Sequence, residues 1–200
     1  MEISMELVKN LREKTGVGMM DCKKALVDAF GDERKAMDLL RQKGLASATK
    51  RSHKTASMGQ VASYIHMGGK LGVLLEVNSE TDFVAKTEDF QVFVKEVAMH
   101  IAAAFPAYVR REEVPAELIA KEKDIYRAQM ADSGKPPQVI EKIIEGKLNK
   151  FFGEVCLMEQ PWVRDDKKKI QDLLNELIGK LGENILVRRF ARFQLGEASK

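Results

Sequence analysis

Apolar residues recur at helical spacing over most of the chain. Leu7, Val8 and Leu11 form one face, with Ser4 placed to cap it and Thr15-Gly16-Val17-Gly18 to break it. Met19, Cys22, Ala25, Leu26 and Ala29 form a second, which Gly31 ends. Asp32 can cap a third helix that turns Ala36, Leu39 and Leu40 inward and is expected to stop at Gly44. Residues 1–44 therefore read as a three-helix module. The next stretch, 45–59, is small, polar and basic, and reads as a solvated linker or a frayed helix.

The period then shortens. Val61 to Met67 and Leu71 to Val77 are strand-like runs separated by Gly68-Gly69, a hairpin signal. The second run is nearly continuously apolar, so it is expected to be central and covered on both faces. A long helix is expected from about Thr81 to Phe105, with Phe90, Val94, Val97 and Ile101 on its buried stripe and Pro106 after it. Pro115 and Pro137 open two further helical patterns. Gln160-Pro161-Trp162-Val163 reads as extended chain. Ile170 to Leu181 is the clearest helix, stopped by Gly182, and Asn184 to Leu195 reads as a final strand. The fold class is α+β: the helical module, then a core of antiparallel strands packed with helices over 60–200.

Composition adds constraints. Apolar residues at 44% and charged ones at 32% suit a globular chain, and aromatics at 6% leave aliphatic side chains and methionine to fill the core. The formal charge of +3 is a small difference between 33 basic and 30 acidic residues, so direct nucleic-acid binding is not expected. Cys22 and Cys156, the only cysteines, are far apart and outside any CxxC spacing. The start, Met1-Glu2-Ile3-Ser4, lacks a signal-peptide pattern and no apolar run is long enough to span a bilayer, which points to the cytoplasm and away from membranes.

No constellation for covalent chemistry stands out. His53, His66 and His100 are scattered, without ligand spacing, and no phosphate-cradling glycine loop or nucleophile elbow occurs. No catalytic residue, metal or cofactor is expected, and the chain reads as a partner-binding protein rather than an enzyme. Two rivals remain. One is a nucleic-acid-associated protein using Lys50, Arg51 and Lys54 with Arg188, Arg189 and Arg192. The other is a small thiol or metal enzyme centred on Cys22.

The most informative stretch is Thr81-Asp82-Phe83-Val84-Ala85. Ser79-Glu80-Thr81-Asp82 fits a capping box in which Asp82 bonds back to a free amide. Phe83 lies seven residues before Phe90, which places it on the buried stripe as a core plug. Its position at the element's end leaves open a second role, an aromatic wedge beside a carboxylate.

The run Glu76-Val77-Asn78-Ser79-Glu80-Thr81-Asp82-Phe83-Val84-Ala85 resembles the signature of the bacterial translation elongation factor Ts family. Arg12-Glu13-Lys14-Thr15-Gly16-Val17-Gly18-Met19-Met20-Asp21-Cys22-Lys23-Lys24-Ala25-Leu26 resembles it too, as do Met99-His100-Ile101-Ala102-Ala103, Ser133-Gly134-Lys135-Pro136, Glu145-Gly146-Lys147 and Gln160-Pro161. The resemblance implies a ubiquitin-associated-like module over 1–44, and a compact core with one subdomain where longer members have two. A homodimer follows from that reading. It also implies guanine nucleotide exchange on elongation factor Tu, with Thr81, Asp82, Phe83 and Val84 disturbing the Mg²⁺ and phosphate site of the GTPase. Met19, Met20 and Lys23 match the family's second contact surface, and His100 a further contact. Periodicity by itself places Met19 in the core.

Overall fold

The structure, a computed structural model, describes residues 3–131 and 133–197. Met1 and Glu2, at the start discussed above, and residues 198–200 of the expected core lie outside them. Two compact units gather the chain, one from Met1–Val61, Glu76–Lys95 and Asp172–Val187, the other from Ala62–Leu75, Glu96–Gln171 and Arg188–Lys200.

The first unit begins with three helices. In α1 (Met5–Thr15) the Ser4 hydroxyl accepts from the Leu7 amide at 3.3 Å, the expected cap. Helices α2 (Met19–Asp28) and α3 (Glu33–Arg51) follow, and Asp32 caps α3 by accepting from the Arg34 and Lys35 amides. Val8, Leu11, Cys22, Leu26, Ala36 and Leu40 form their shared core.

Helix α3 does not stop at Gly44, as the spacing led us to expect, but runs through it to Arg51. Gly44 faces α8 (Ile170–Leu181) instead. A β-carbon on Gly44 would stand 3.4 Å from the Asn175 carbonyl oxygen, and one on Gly179 would stand 3.1 Å from the Gly44 Cα. Glycine here allows two helix backbones to approach, at a propensity cost of about 0.5–1 kcal/mol that does not end the helix. The Arg41 guanidinium pairs with Asp172 of α8 at 3.0 Å. Most of the first half of the expected 45–59 linker is therefore helix, and β1 (Met58–Ile65) begins before its end.

Gly68 and Gly69 both adopt positive φ, 89° and 68°, and close the hairpin of β1 and β2 (Leu71–Ser79) as foreseen. The sheet order places β2 between β1 and β5 (Ile185–Gln194). Val73, Leu75 and Val77 are buried, but Leu74 is 48% exposed, so the central strand is covered on one face rather than two. A continuous apolar run cannot distinguish a second covered face from one left open in the single chain.

The expected helix from Thr81 to Phe105 is two helices, α4 (Asp82–Ala85) and α5 (Glu88–Ala104). Thr87 causes the break. Its hydroxyl donates to the Val84 carbonyl at 2.8 Å and accepts from the Phe90 amide at 3.3 Å, ending one helix and capping the next.

In the second unit, α6 (Ala116–Met130) and α7 (Pro137–Val155) pack on each other, and α7 buries Ile144 and Leu148. Pro137 is the first residue of α7 as anticipated, whereas Pro115 sits one position outside α6, at its cap. A short antiparallel ribbon pairs β3 (Pro161–Trp162) with β4 (Asp165–Lys169). The run Asp165-Asp166-Lys167-Lys168-Lys169 has no apolar alternation to announce a strand. Helix α8 ends at Gly182, whose φ is 71° and whose amide donates to Ile178 at 2.9 Å.

Candidate partner-binding site

The one-turn helix α4 carries the stretch singled out in the sequence, and its backbone is fixed from several sides. Thr81 is its cap: the side-chain oxygen accepts from the Val84 amide at 3.4 Å. The Ser79 hydroxyl donates to the Thr81 carbonyl at 2.7 Å. Ser79 is thus not the cap, and Asp82 does not close a capping box. Its carboxylate turns to Lys86, whose ammonium donates to it at 2.7 Å. That hydrogen bond holds the Asp82 carboxyl below the ordinary carboxylate pKa, so it is ionised at neutral pH.

Phe83 is 77% exposed, while its neighbours Val84 and Ala85 are buried. The core-plug expectation fails because the Thr87 break resets the helical phase. The seven-residue spacing to the fully buried Phe90 no longer places both rings on one stripe. The Lys86 ammonium lies 5.9 Å from the Phe83 ring centroid. The four expected site residues therefore divide: Thr81 and Val84 build the turn, and Asp82 and Phe83 are presented by it.

Sequence reasoning missed the residues that hold this turn from a distance. Glu183, just after α8, accepts from the Thr81 amide at 3.0 Å and from the Thr81 hydroxyl at 2.7 Å. The Glu80 carboxylate in turn accepts from the Asn184 amide at 2.7 Å, with the Arg51 guanidinium 3.7 Å away. The Asn184 side chain donates to the Lys54 carbonyl at 2.6 Å. The partners in the Thr81–Glu183 bonds are 102 positions apart, so no local periodicity could join them.

On α2, Met20 is 78% exposed and Lys23 is exposed, whereas Met19 packs partly buried against the module's core. Met19 therefore follows the periodicity rather than the contact reading. Cys22 is fully buried, and its thiol donates to the Val17 carbonyl at 3.5 Å, which closes it to a substrate.

His100 is also fully buried, in the second unit. Its Nδ1 accepts from the Val163 amide at 3.3 Å, which leaves Nε2 to donate to the Gln160 side-chain oxygen at 2.9 Å. The Gln160 amide donates to the Ala104 and Glu154 carbonyls. Direct contact with a partner, one expectation for His100, does not fit this burial. The imidazole is part of a satisfied polar core, and burial lowers its pKa from the ordinary 6.5.

Among the described residues, no group of three or more His, Cys, Asp or Glu gathers to hold a metal ion. No helix among them is long and apolar enough to cross a membrane.

Fold and site together define an α+β protein that is led by a three-helix module and presents one exposed aromatic on a clamped turn. A sequence model of the family described as "Elongation factor TS" matches residues 45–197. "Elongation factor Ts" of Anaeromyxobacter sp. (strain K) is 63% identical over 196 residues, covering 98% of this chain and 90% of the relative. The protein of that name from Geobacter sulfurreducens is 60% identical over 197 residues, 98% and 91% of the two chains. That from Caldanaerobacter subterraneus is 60% identical over 195 residues, 98% of each. The chain belongs to the elongation factor Ts family, and is thereby a translation elongation factor of protein biosynthesis.

Proposed function

We propose that this protein is a guanine nucleotide exchange factor for elongation factor Tu. The observation that carries this reading is Phe83, an exposed phenylalanine on a turn whose next two residues, Val84 and Ala85, are buried. Leaving such a ring in water forgoes about 1.5–3 kcal/mol of burial free energy, which a pocket on a partner recovers. Phe83 enters an apolar pocket of the GTPase, and the ionised Asp82 beside it disturbs the phosphate loop and the Mg²⁺ site. Loss of the cation uncovers the charge of the phosphates, and GDP leaves. Met20 and Lys23 form the second contact, with methionine supplying an adaptable apolar patch.

No covalent step is needed, and none is proposed. Exchange follows from linkage: whatever factor the protein imposes on GDP affinity, GDP imposes on the protein's affinity. The setting is the cytoplasm, where the GTPase works.

The nucleic-acid reading finds less support. Arg51 approaches Glu80, and the nearly buried Arg192 pairs with Glu197 at 2.7 Å, so these cations are not free for phosphates. Ile65, Leu74 and Phe193 are exposed on β1, β2 and β5, and we propose that a second copy of the chain covers apolar sheet residues of this kind. Sedimentation at micromolar concentration tests this, and a monomer throughout would refute it. The exchange proposal is tested by release of a fluorescent GDP analogue from elongation factor Tu. Acceleration on adding the protein is expected, and an unchanged rate overturns the proposal.

A further inference from the structure

We infer that Glu183 is a positioning residue for exchange: its carboxylate holds the Asp82-Phe83 turn in the projecting conformation before the partner arrives. The inference rests on the exchange reading and assigns a role to a residue whose carboxylate bonds Thr81, immediately before Asp82.

The geometry is that of a clamp. One oxygen of Glu183 receives the Thr81 amide proton and the other receives the Thr81 hydroxyl proton, at 3.0 and 2.7 Å. With its proton committed to Glu183, the Thr81 hydroxyl presents a lone pair to the Val84 amide, the bond that caps α4. The Ser79 hydroxyl satisfies the Thr81 carbonyl. Every polar group of Thr81 is thus engaged, and the residue immediately before Asp82 is fixed.

A second contact of the same kind runs the other way. Glu80 accepts from the backbone of Asn184, so adjacent residues of each segment exchange a carboxylate for an amide. The segment after α8 therefore grips two consecutive residues of the segment before α4. All these groups lie within the first unit.

The clamp has a consequence for binding. An exposed ring on an unrestrained turn would lose conformational freedom when inserted, and that loss subtracts from the affinity available to displace GDP. Fixing the turn beforehand removes most of that cost. Losing part of the clamp returns that cost to the binding step and is expected to lower exchange activity roughly tenfold.

The test is a double-mutant cycle in the full-length protein, read by fluorescent GDP release from elongation factor Tu for Glu183→Gln alone and by the calorimetric affinity of the complex for the full cycle. Glu183→Gln keeps size and one acceptor but turns an amide donor towards Thr81. It is expected to reduce both the acceleration and the affinity about tenfold in the wild-type background and to leave unchanged the residual affinity of Phe83→Ala, which the second contact at Met20 and Lys23 supplies. A structural role alone would give equal losses in both backgrounds, and that result overturns the inference. An unchanged rate for Glu183→Gln, with the wild-type protein active, also overturns it while leaving the exchange reading intact. An inactive wild-type protein overturns both. Glu183→Asp, too short to reach both donors, is expected to fall between the two.

Discussion

Gly179 meets Gly44 so closely that a β-carbon on Gly179 would stand 3.1 Å from the Gly44 Cα. At Gly44 the nearest atom to an added β-carbon is a carbonyl oxygen at 3.4 Å, a contact that small shifts accommodate. The two substitutions to alanine should differ as a result. Gly179→Ala forces the helices apart, at an overpacking cost of ~1–3 kcal/mol that exceeds the propensity gain of ~0.5–1 kcal/mol. Gly44→Ala should be near neutral because the same gain offsets a smaller strain. Chemical denaturation of both variants checks this, and equal midpoints would contradict it.

The His100–Gln160 pair predicts a pH dependence with a defined sign. Burial lowers the His100 pKa below 6.5, so the neutral imidazole is the form that the fold selects. Its contribution is fully present above about pH 6.5 and is lost as pH falls through the lower folded-state value. Thermal melts of the wild-type protein should lose stability as pH falls below about 6. His100→Phe should be less stable at pH 7.5, because Gln160 loses its partner, but should decline less between pH 7 and 5. A parallel decline in both proteins would show that His100 is not the group responsible.

Adjacent methionines on α2 are predicted to behave oppositely. Met19→Ala removes a side chain packed against the module's core and should cost ~1–3 kcal/mol of stability. Met20→Ala alters an exposed side chain, should change stability by less than about 0.5 kcal/mol, and should weaken the complex with elongation factor Tu. Calorimetric melting and titration of the complex separate the two effects. Destabilisation by Met20→Ala without loss of affinity would remove that residue from the proposed contact.

Local patterns in the sequence carried most of the elements. Ser4, Asp32, Gly182 and the Gly68-Gly69 turn act as their residue types predict, because each works through its own backbone or that of its near neighbours. Gly44 was misread because whether a glycine ends a helix or admits a second one depends on a residue 135 positions away. Periodicity puts Phe83 on the buried stripe and leaves its wedge role open, because one threonine hydroxyl, that of Thr87, interrupts the helix without a mark in the apolar spacing. The site was visible as a stretch of residues but not as a surface. Its exposure depends on that interruption, and its rigidity depends on Glu183, which no spacing rule connects to Thr81.

The central claim is that Phe83 projects from a turn that does not need it for folding. Stopped-flow release of a fluorescent GDP analogue from elongation factor Tu, driven by the wild-type protein or by Phe83→Ala at matched concentration, tests it most directly. The account predicts strong acceleration by the wild type and its near loss in the variant, with a melting temperature within about 2 °C of the wild type because the ring is exposed. Equal acceleration by both proteins, or a variant that no longer folds, would contradict it.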